Sequence, residues 1–163
     1  MRENLEENIF IANKIKEGRF YSYSEAITLN GTLDYIITTP VGTNRTHPYL
    51  MVDTQGDVTL NVYEAPSFTD GTTKNFVNHN RNTNRIAGTL IKKSPTVTST
   101  GTQMLSVFIP GANTGPMDYD TNSSFILKEN TSYLIRYSTS ASAVFALQID
   151  IVESEISKIN EIL

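Results

Sequence analysis

Residues 2 to 17, RENLEENIFIANKIKE, set Leu5, Ile9, Ala12 and Lys16 on one stripe, with Ile11 and Ile15 beside it. Spacings of three and four are the helical period; acids fill the first turn, lysines the last, and Gly18 follows as a stop. A short amphipathic helix is predicted. From Phe20 the period changes to two. β-Branched and aromatic segments alternate with Gly, Pro and Asn breaks, and strands are expected over roughly 20–29, 33–39, 48–54, 57–65, 85–92, 102–109, 124–128, 132–139 and 143–152. In the last of these, Phe145, Leu147, Ile149 and Ile151 face one way and Ala146, Gln148 and Asp150 the other, so one face is buried. After Glu153 the period of three and four returns, and Ile149, Val152, Ile156, Ile159 and Leu163 form the seam of a short helix or coiled coil. That seam is too short to stand alone.

The pattern predicts an all-β fold: an antiparallel β-sandwich or jelly roll of about nine strands with short N-terminal and C-terminal helices. The expected division is a helix or arm over 1–18, the sandwich over 19–153 and a short helix over 154–163. The stretch SPTVTSTGTQM, Ser94 to Met104, reads as strand and hairpin because its hydroxyls alternate with Val and Met. Residues 110–123 are the longest loop candidate.

Composition narrows the class. The 163 residues suit one domain, 39% apolar and 18% charged, with no Trp. The absence of Cys excludes disulfide frameworks, thiolate metal sites and cysteine nucleophiles. The charged opening MRENLEEN does not resemble a signal peptide, and no apolar run reaches membrane-spanning length, so manufacture in a cytoplasm, with release by lysis as the other route, is expected, without a membrane partner. A net charge of −4 hides an asymmetry: no Asp or Glu occurs between Gly71 and Met117, while Lys74, Arg81, Arg85, Lys92 and Lys93 do. That basic island suits an acidic partner surface, or else its lysines are solvated guards of strand edges.

Candidate chemistry is sparse. His47 and His79 lack any companion at metal-ligand spacing, no Gly-x-Ser-x-Gly elbow marks a nucleophile, and no glycine pattern marks a phosphate loop. Scattered acids single out no glycosidase pair. No enzyme activity and no cofactor are expected. Asp118, Asp120, Asn122, Ser124 and Glu129 match positions 1, 3, 5, 7 and 12 of a calcium loop, but Ser123 stands where the turn needs Gly and Pro116 precedes it. FILK after it reads as strand rather than helix, so a polar hairpin loop closed by its own Asx side chains is the expected reading, with calcium the lesser alternative.

The stretch NFVNHNRNTNR, Asn75 to Arg85, holds five Asn, two Arg and one His. Asn tolerates left-handed backbone and closes turns through its side chain, so this is expected to be an ordered loop with its arginines directed outward. Phe76 is the only aromatic nearby, which argues against nucleic-acid binding. An Arg-bearing loop on a β scaffold suits a protein interface.

YEAPSFTDGT followed by NHNRNTNR, SPTVTSTGTQML with FIPG after it, and LKENTSYLIRYSTSASAVFALQIDIVE together resemble a family of small tailed-bacteriophage head proteins that decorate or reinforce the capsid. The resemblance covers roughly Phe20 to Glu153 and implies a non-enzymatic β-sandwich on the outside of an icosahedral shell, often a trimer. The terminal segments depart from that pattern. On this reading the partners are the major capsid protein, further copies of the chain, and a head fibre or other minor capsid protein. Capsid contact is assigned to Asn78, His79, Asn80, Arg81, Asn82 and Arg85. Self-association is assigned to Ile156, Ile159 and Leu163, then to Leu5, Ile9 and Ile15. The alternative expectation is a glycan-binding module of a tail fibre, baseplate or secreted hydrolase, its platform drawn from tyrosines such as Tyr21, Tyr23 and Tyr119.

Overall fold

The computed structural model describes residues 2–42, 44–111, 117–120 and 125–155, with backbone alone for 2–7, 44, 117–120 and 155. Helix α1 runs Arg2–Lys16 and is followed by β1 (Phe20–Thr38), β2 (Asn44–Thr54), β3 (Val58–Glu64), β4 (Ser67–Thr69), β5 (Thr72–Lys74) and β6 (Val77–Asn78). Then come β7 (Leu90–Lys93), β8 (Thr96–Ser99), β9 (Thr102–Ile109), β10 (Met117–Asp120) and β11 (Ser132–Glu155).

Two strands organise everything else. β1 has 19 residues and β11 has 24, and they pair antiparallel from Phe20 opposite Val152 to Thr38 opposite Ser132. Laid straight, 24 residues of strand span about 80 Å, roughly twice the diameter of a globule of this length. The ladder must therefore bend. The bend is the register shift between Leu29 and Gly31, where β11 carries extra residues between Thr139 and Ala143. Thr139 spans it: its Oγ1 accepts the Gly31 amide at 3.1 Å and lies 3.2 Å from the Leu29 carbonyl as donor. Gly31 has φ +112°, a conformation that L side chains rarely adopt.

Each half of the folded ladder recruits its own neighbours. The half built from Phe20–Leu29 and Ala143–Val152 takes β2 and then β10 beside β11, and β6 beside β1. The half built from Gly31–Thr38 and Ser132–Thr139 takes β3 and β9 on one side and β7 and β5 on the other. β4 and β8 form a separate two-stranded ribbon. The halves pack face to face as an all-β sandwich, with Tyr133, Ile135, Tyr137, Leu60 and Ile91 of one meeting Leu50, Val52, Phe145, Leu147 and Ile149 of the other. Burial of this apolar surface is the main stabilising term.

Several sequence expectations change in detail. Strands 20–29 and 33–39 are one strand, as are 132–139 and 143–152. Of the strand expected over 124–128, residues 125–128 supply only an isolated bridge, Leu127 to Thr46, while 124 lies outside the described residues; 85–92 shrinks to β7. Ser94 to Met104 is strand and turn rather than hairpin, because β8 pairs with β4 and β9 with β3. Ser154 and Glu155, assigned to a C-terminal helix, continue β11 opposite Arg45 and Asn44; the helix expected over the remaining residues, 156–163, lies outside the described residues.

α1 lies against the outer surface of the first half, where Ile11 and Ile15 pack on Phe20, Tyr49 and Val152. Its end is a Schellman turn: the Arg19 amide bonds to the Lys14 carbonyl at 2.8 Å, with Gly18 at φ +69°. The second fixed point is polar. Glu25 accepts hydrogen bonds from Tyr23 and Tyr35 hydroxyls, each at 2.7 Å, and pairs with Lys93, so it joins the first half of β1 to its second half and to β7. Burial alone would raise its pKa, but the three donors together outweigh burial and hold the carboxyl at about 2. Burial and the bond to Glu25 push Tyr23 up to about 12 and Tyr35 higher still.

Two outcomes are expected. Glu25 titrates lower in the folded chain than in the unfolded one, so its contribution is complete above the ordinary value of 4.5 and is lost as pH falls toward about 2. The contribution amounts to at most about 3 kcal/mol, less solvent screening. Urea unfolding should show a stability loss across that window, flattened in Glu25→Gln. The Tyr137 hydroxyl, deep between the sheets, has no hydrogen-bond partner among the described residues. Tyr137→Phe should therefore unfold at the same temperature or higher, by up to about 1 kcal/mol of added stability.

Candidate functional site

The asparagine-rich stretch is a clasp between α1 and the sandwich. Asn78 in β6 stands opposite Tyr21 of β1 and is buried. Its Nδ2 donates to the Gly18 carbonyl and to the Arg85 carbonyl, both at 3.0 Å, while its Oδ1 accepts the Asn80 amide at 2.8 Å. Asn80 repeats the device one turn on, donating from Nδ2 to the Lys16 carbonyl at 2.9 Å and accepting the Asn82 amide at 3.0 Å. Thr83 Oγ1 accepts the Arg85 amide at 3.2 Å, and a Cβ built on Gly18 would stand 2.8 Å from Thr83 Cγ2. Helix end and loop thus fit each other: the last helical carbonyls, which have no partner inside the helix, are capped by loop asparagines.

This geometry divides the residues assigned to capsid contact. Asn78 is turned inward and Asn80 is half-buried against the helix, so their side chains hold the loop. His79, Arg81, Asn82 and Arg85 are exposed. Arg81 folds back so that Nη1 lies 3.5 Å from the Asn78 carbonyl, and neither Arg81 nor Arg85 forms an ion pair among the described residues. The basic island is otherwise partly neutralised: Lys93 is paired to Glu25, and Lys92 donates to the Asp70 carbonyl and lies over the Phe68 ring.

Beside the loop is a shallow open groove of about 550 Å³, lined by residues including Ser22, Ser24, Asn75, Val77, His79 and Gln148. His79 is fixed there by a 2.6 Å contact from Nε2 to Ser22 Oγ and by the edge of the Phe20 ring. Sequence reasoning missed Ser22, Ser24 and Gln148, because residues distant along the chain meet only through the β1–β11 ladder. No carboxylate bonds to His79 among the described residues, so the pair lacks the third member that orients a catalytic histidine. His47 lies elsewhere, its pKa lowered by burial first and then by Arg45 and Lys14.

The other predicted sites fall as follows. Asp118 and Asp120 lie on β10, paired with Asp53 and Met51, and Asn122 and Ser124 are outside the described residues. Glu129 accepts the Gly42 amide at 3.1 Å. Among the described residues no group of three or more His, Asp or Glu gathers as a metal site. Of the self-association set, Ile15 packs on the chain's own sheet, Ile9 is exposed, and Leu5 lies in α1 with only its backbone described. Ile156, Ile159 and Leu163 are outside the described residues. Of the tyrosines proposed as a sugar platform, Tyr21 is buried and Tyr23 packs against the core. Burial foremost, with Glu153 next, raises the Tyr21 pKa against the pull of Arg85 and Arg19. No helix among the described residues is long and apolar enough to cross a membrane.

No family model matches this chain, and no curated protein matches it in sequence.

The clasp predicts a sharp contrast between neighbouring asparagines. Asn78→Ala strands three backbone groups, one buried and two part-buried, and should cost about 2 kcal/mol, with faster proteolysis at the end of α1. Asn82→Ala should stay within about 0.5 kcal/mol of the parent. Equal effects in thermal unfolding would contradict the assignment.

Proposed function

We propose that this chain is a non-enzymatic virion protein that decorates or reinforces the outside of a tailed-bacteriophage capsid. The reading draws on the quoted motif resemblance and on the all-β sandwich. The observation that carries it is the loop from Asn75 to Arg85: Asn78 and Asn80 tie it down from within, while Arg81 and Arg85 stand exposed and form no ion pair among the described residues. A preorganised loop loses little conformational entropy on docking, and exposed guanidinium groups suit an acidic protein surface. The partner on this reading is the major capsid protein.

The mechanism is mechanical. Contacts across the seams between capsomers exist only in the assembled shell, so each bound copy stabilises the assembled state by linkage. A homotrimer fits the resemblance, with exposed Ile9 and the apolar sequence pattern of Ile156, Ile159 and Leu163 assigned to its contacts, and a head fibre or minor capsid protein is a further partner.

The test is sedimentation with shells that lack the protein. The double variant Arg81→Ala, Arg85→Ala should keep its unfolding temperature and bind about tenfold or more weakly at low salt, the difference shrinking near 0.5 M salt. Undiminished binding would take the loop out of the interface, and failure of the parent protein to sediment would remove the shell reading.

A further inference from the structure

β1 has a partner along the whole of one edge and only at the two ends of the other. β11 pairs with it throughout, whereas on the opposite edge β6 meets Tyr21 and Ser22 and β7 meets Tyr35 to Thr38. Between them, Tyr23 to Asp34 have no strand alongside among the described residues. The bonds at each end show which backbone groups face that edge. The Phe20 carbonyl accepts the His79 amide and the Asp34 carbonyl accepts the Ser94 amide, both on the free side. The Leu29 carbonyl and Gly31 amide bond instead to Thr139 of β11. With a period of two, Ser24, Ala26 and Thr28 direct their N–H and C=O groups outward, and all three residues are exposed. Such a row is a template for an added strand.

The surroundings define what fits. β5 pairs with β7 while β6 pairs with β1, so the chain at Asn75 and Phe76 crosses from one half of the sandwich to the other and leaves the line of β6 vacant beyond Ser22. The groove lined by Ser22, Ser24, Val77 and His79 opens at this point and would receive a side chain of a strand laid there. Lys74 precedes groove residue Asn75 in the chain, and Arg81 and Arg85 lie in the loop bonded to Asn78 of β6; none of the three forms an ion pair among the described residues, and Glu25 of β1 is already tied to Lys93. The bend at Leu29–Gly31 limits the flat stretch to a strand of roughly five to seven residues.

We propose that the open edge of β1 at Ser24 to Thr28 accepts a short, extended acidic segment of a partner protein as an added strand. The inference deepens the shell-binding reading by naming the kind of segment the capsid protein would present. Its test involves no shell, so the two readings fail separately.

Amide exchange of the intact, isotope-labelled protein is measured with and without an acetylated, amidated seven-residue peptide alternating Val with Asp. The expected result is exchange slowed about tenfold or more at the Ala26 and Thr28 amides but not at Ile27, with the effect abolished in Ala26→Pro and reduced in the Arg81→Ala, Arg85→Ala variant. Proline is compatible with an edge position, and the parent protein's own amide pattern serves as the readout should Ala26→Pro unfold. Unchanged exchange at Ala26 and Thr28 overturns the proposal. So does slowing that rises with protein concentration in the absence of peptide, which would make a second copy of the chain the occupant.

Discussion

The continuous pairing of β1 with β11 is the constraint on which the remaining structure depends. Neither strand fits a domain of this size unless the ladder folds, and folding it at Leu29–Gly31 brings Phe145, Leu147 and Ile149 against Ile135 and Tyr137 of the same strand. One hairpin-like ladder thereby supplies both layers of the sandwich. Every other strand except the β4–β8 ribbon adds, directly or through a neighbour, to one of its two halves, and Glu25, reaching Tyr35 and Lys93, ties those halves together by hydrogen bonds across the bend. Apolar burial drives the closure, while the polar tie fixes how the two layers meet.

The same ladder explains why α1, the asparagine loop and the groove are concentrated in one place. Phe20 and Val152 end the ladder and give the helix its apolar seat; β6 pairs with the next two residues, and its Asn78 reaches back to cap the helix. A perturbation of the helix end must therefore be felt at the loop, since the same amide group bonds to Gly18 and Arg85. That sharing gives the exposed arginines a rigid base in a chain that has no cysteine to form a disulfide.

Much of this was legible in the sequence, and the misses have physical causes. The helix and its stop could be read because α1 follows the helical period and Gly18 adopts the left-handed conformation that its position suggests. β9 was found at its observed bounds, 102–109, from its alternation. The long strands were divided because breaks were left at 30–32, around Asn30-Gly31, and at 140–142 between the expected segments, whereas the ladder absorbs both as a bend. β4, β5 and β6 have two or three residues each, too few to show a period. The ordered character of the Asn loop was foreseen, but which asparagines point inward was not. That depends on the unpaired carbonyls of a helix some sixty residues earlier, a tertiary fact without a local signature.

The central claim is that many copies of this sandwich act on an assembled shell at one defined type of site. Titration of purified protein onto shells lacking it, with bound copies counted at saturation, tests that claim most directly. The account predicts a plateau at one fixed whole number of copies per repeating unit of the capsid lattice. Binding that never saturates, or no binding at all, would contradict it.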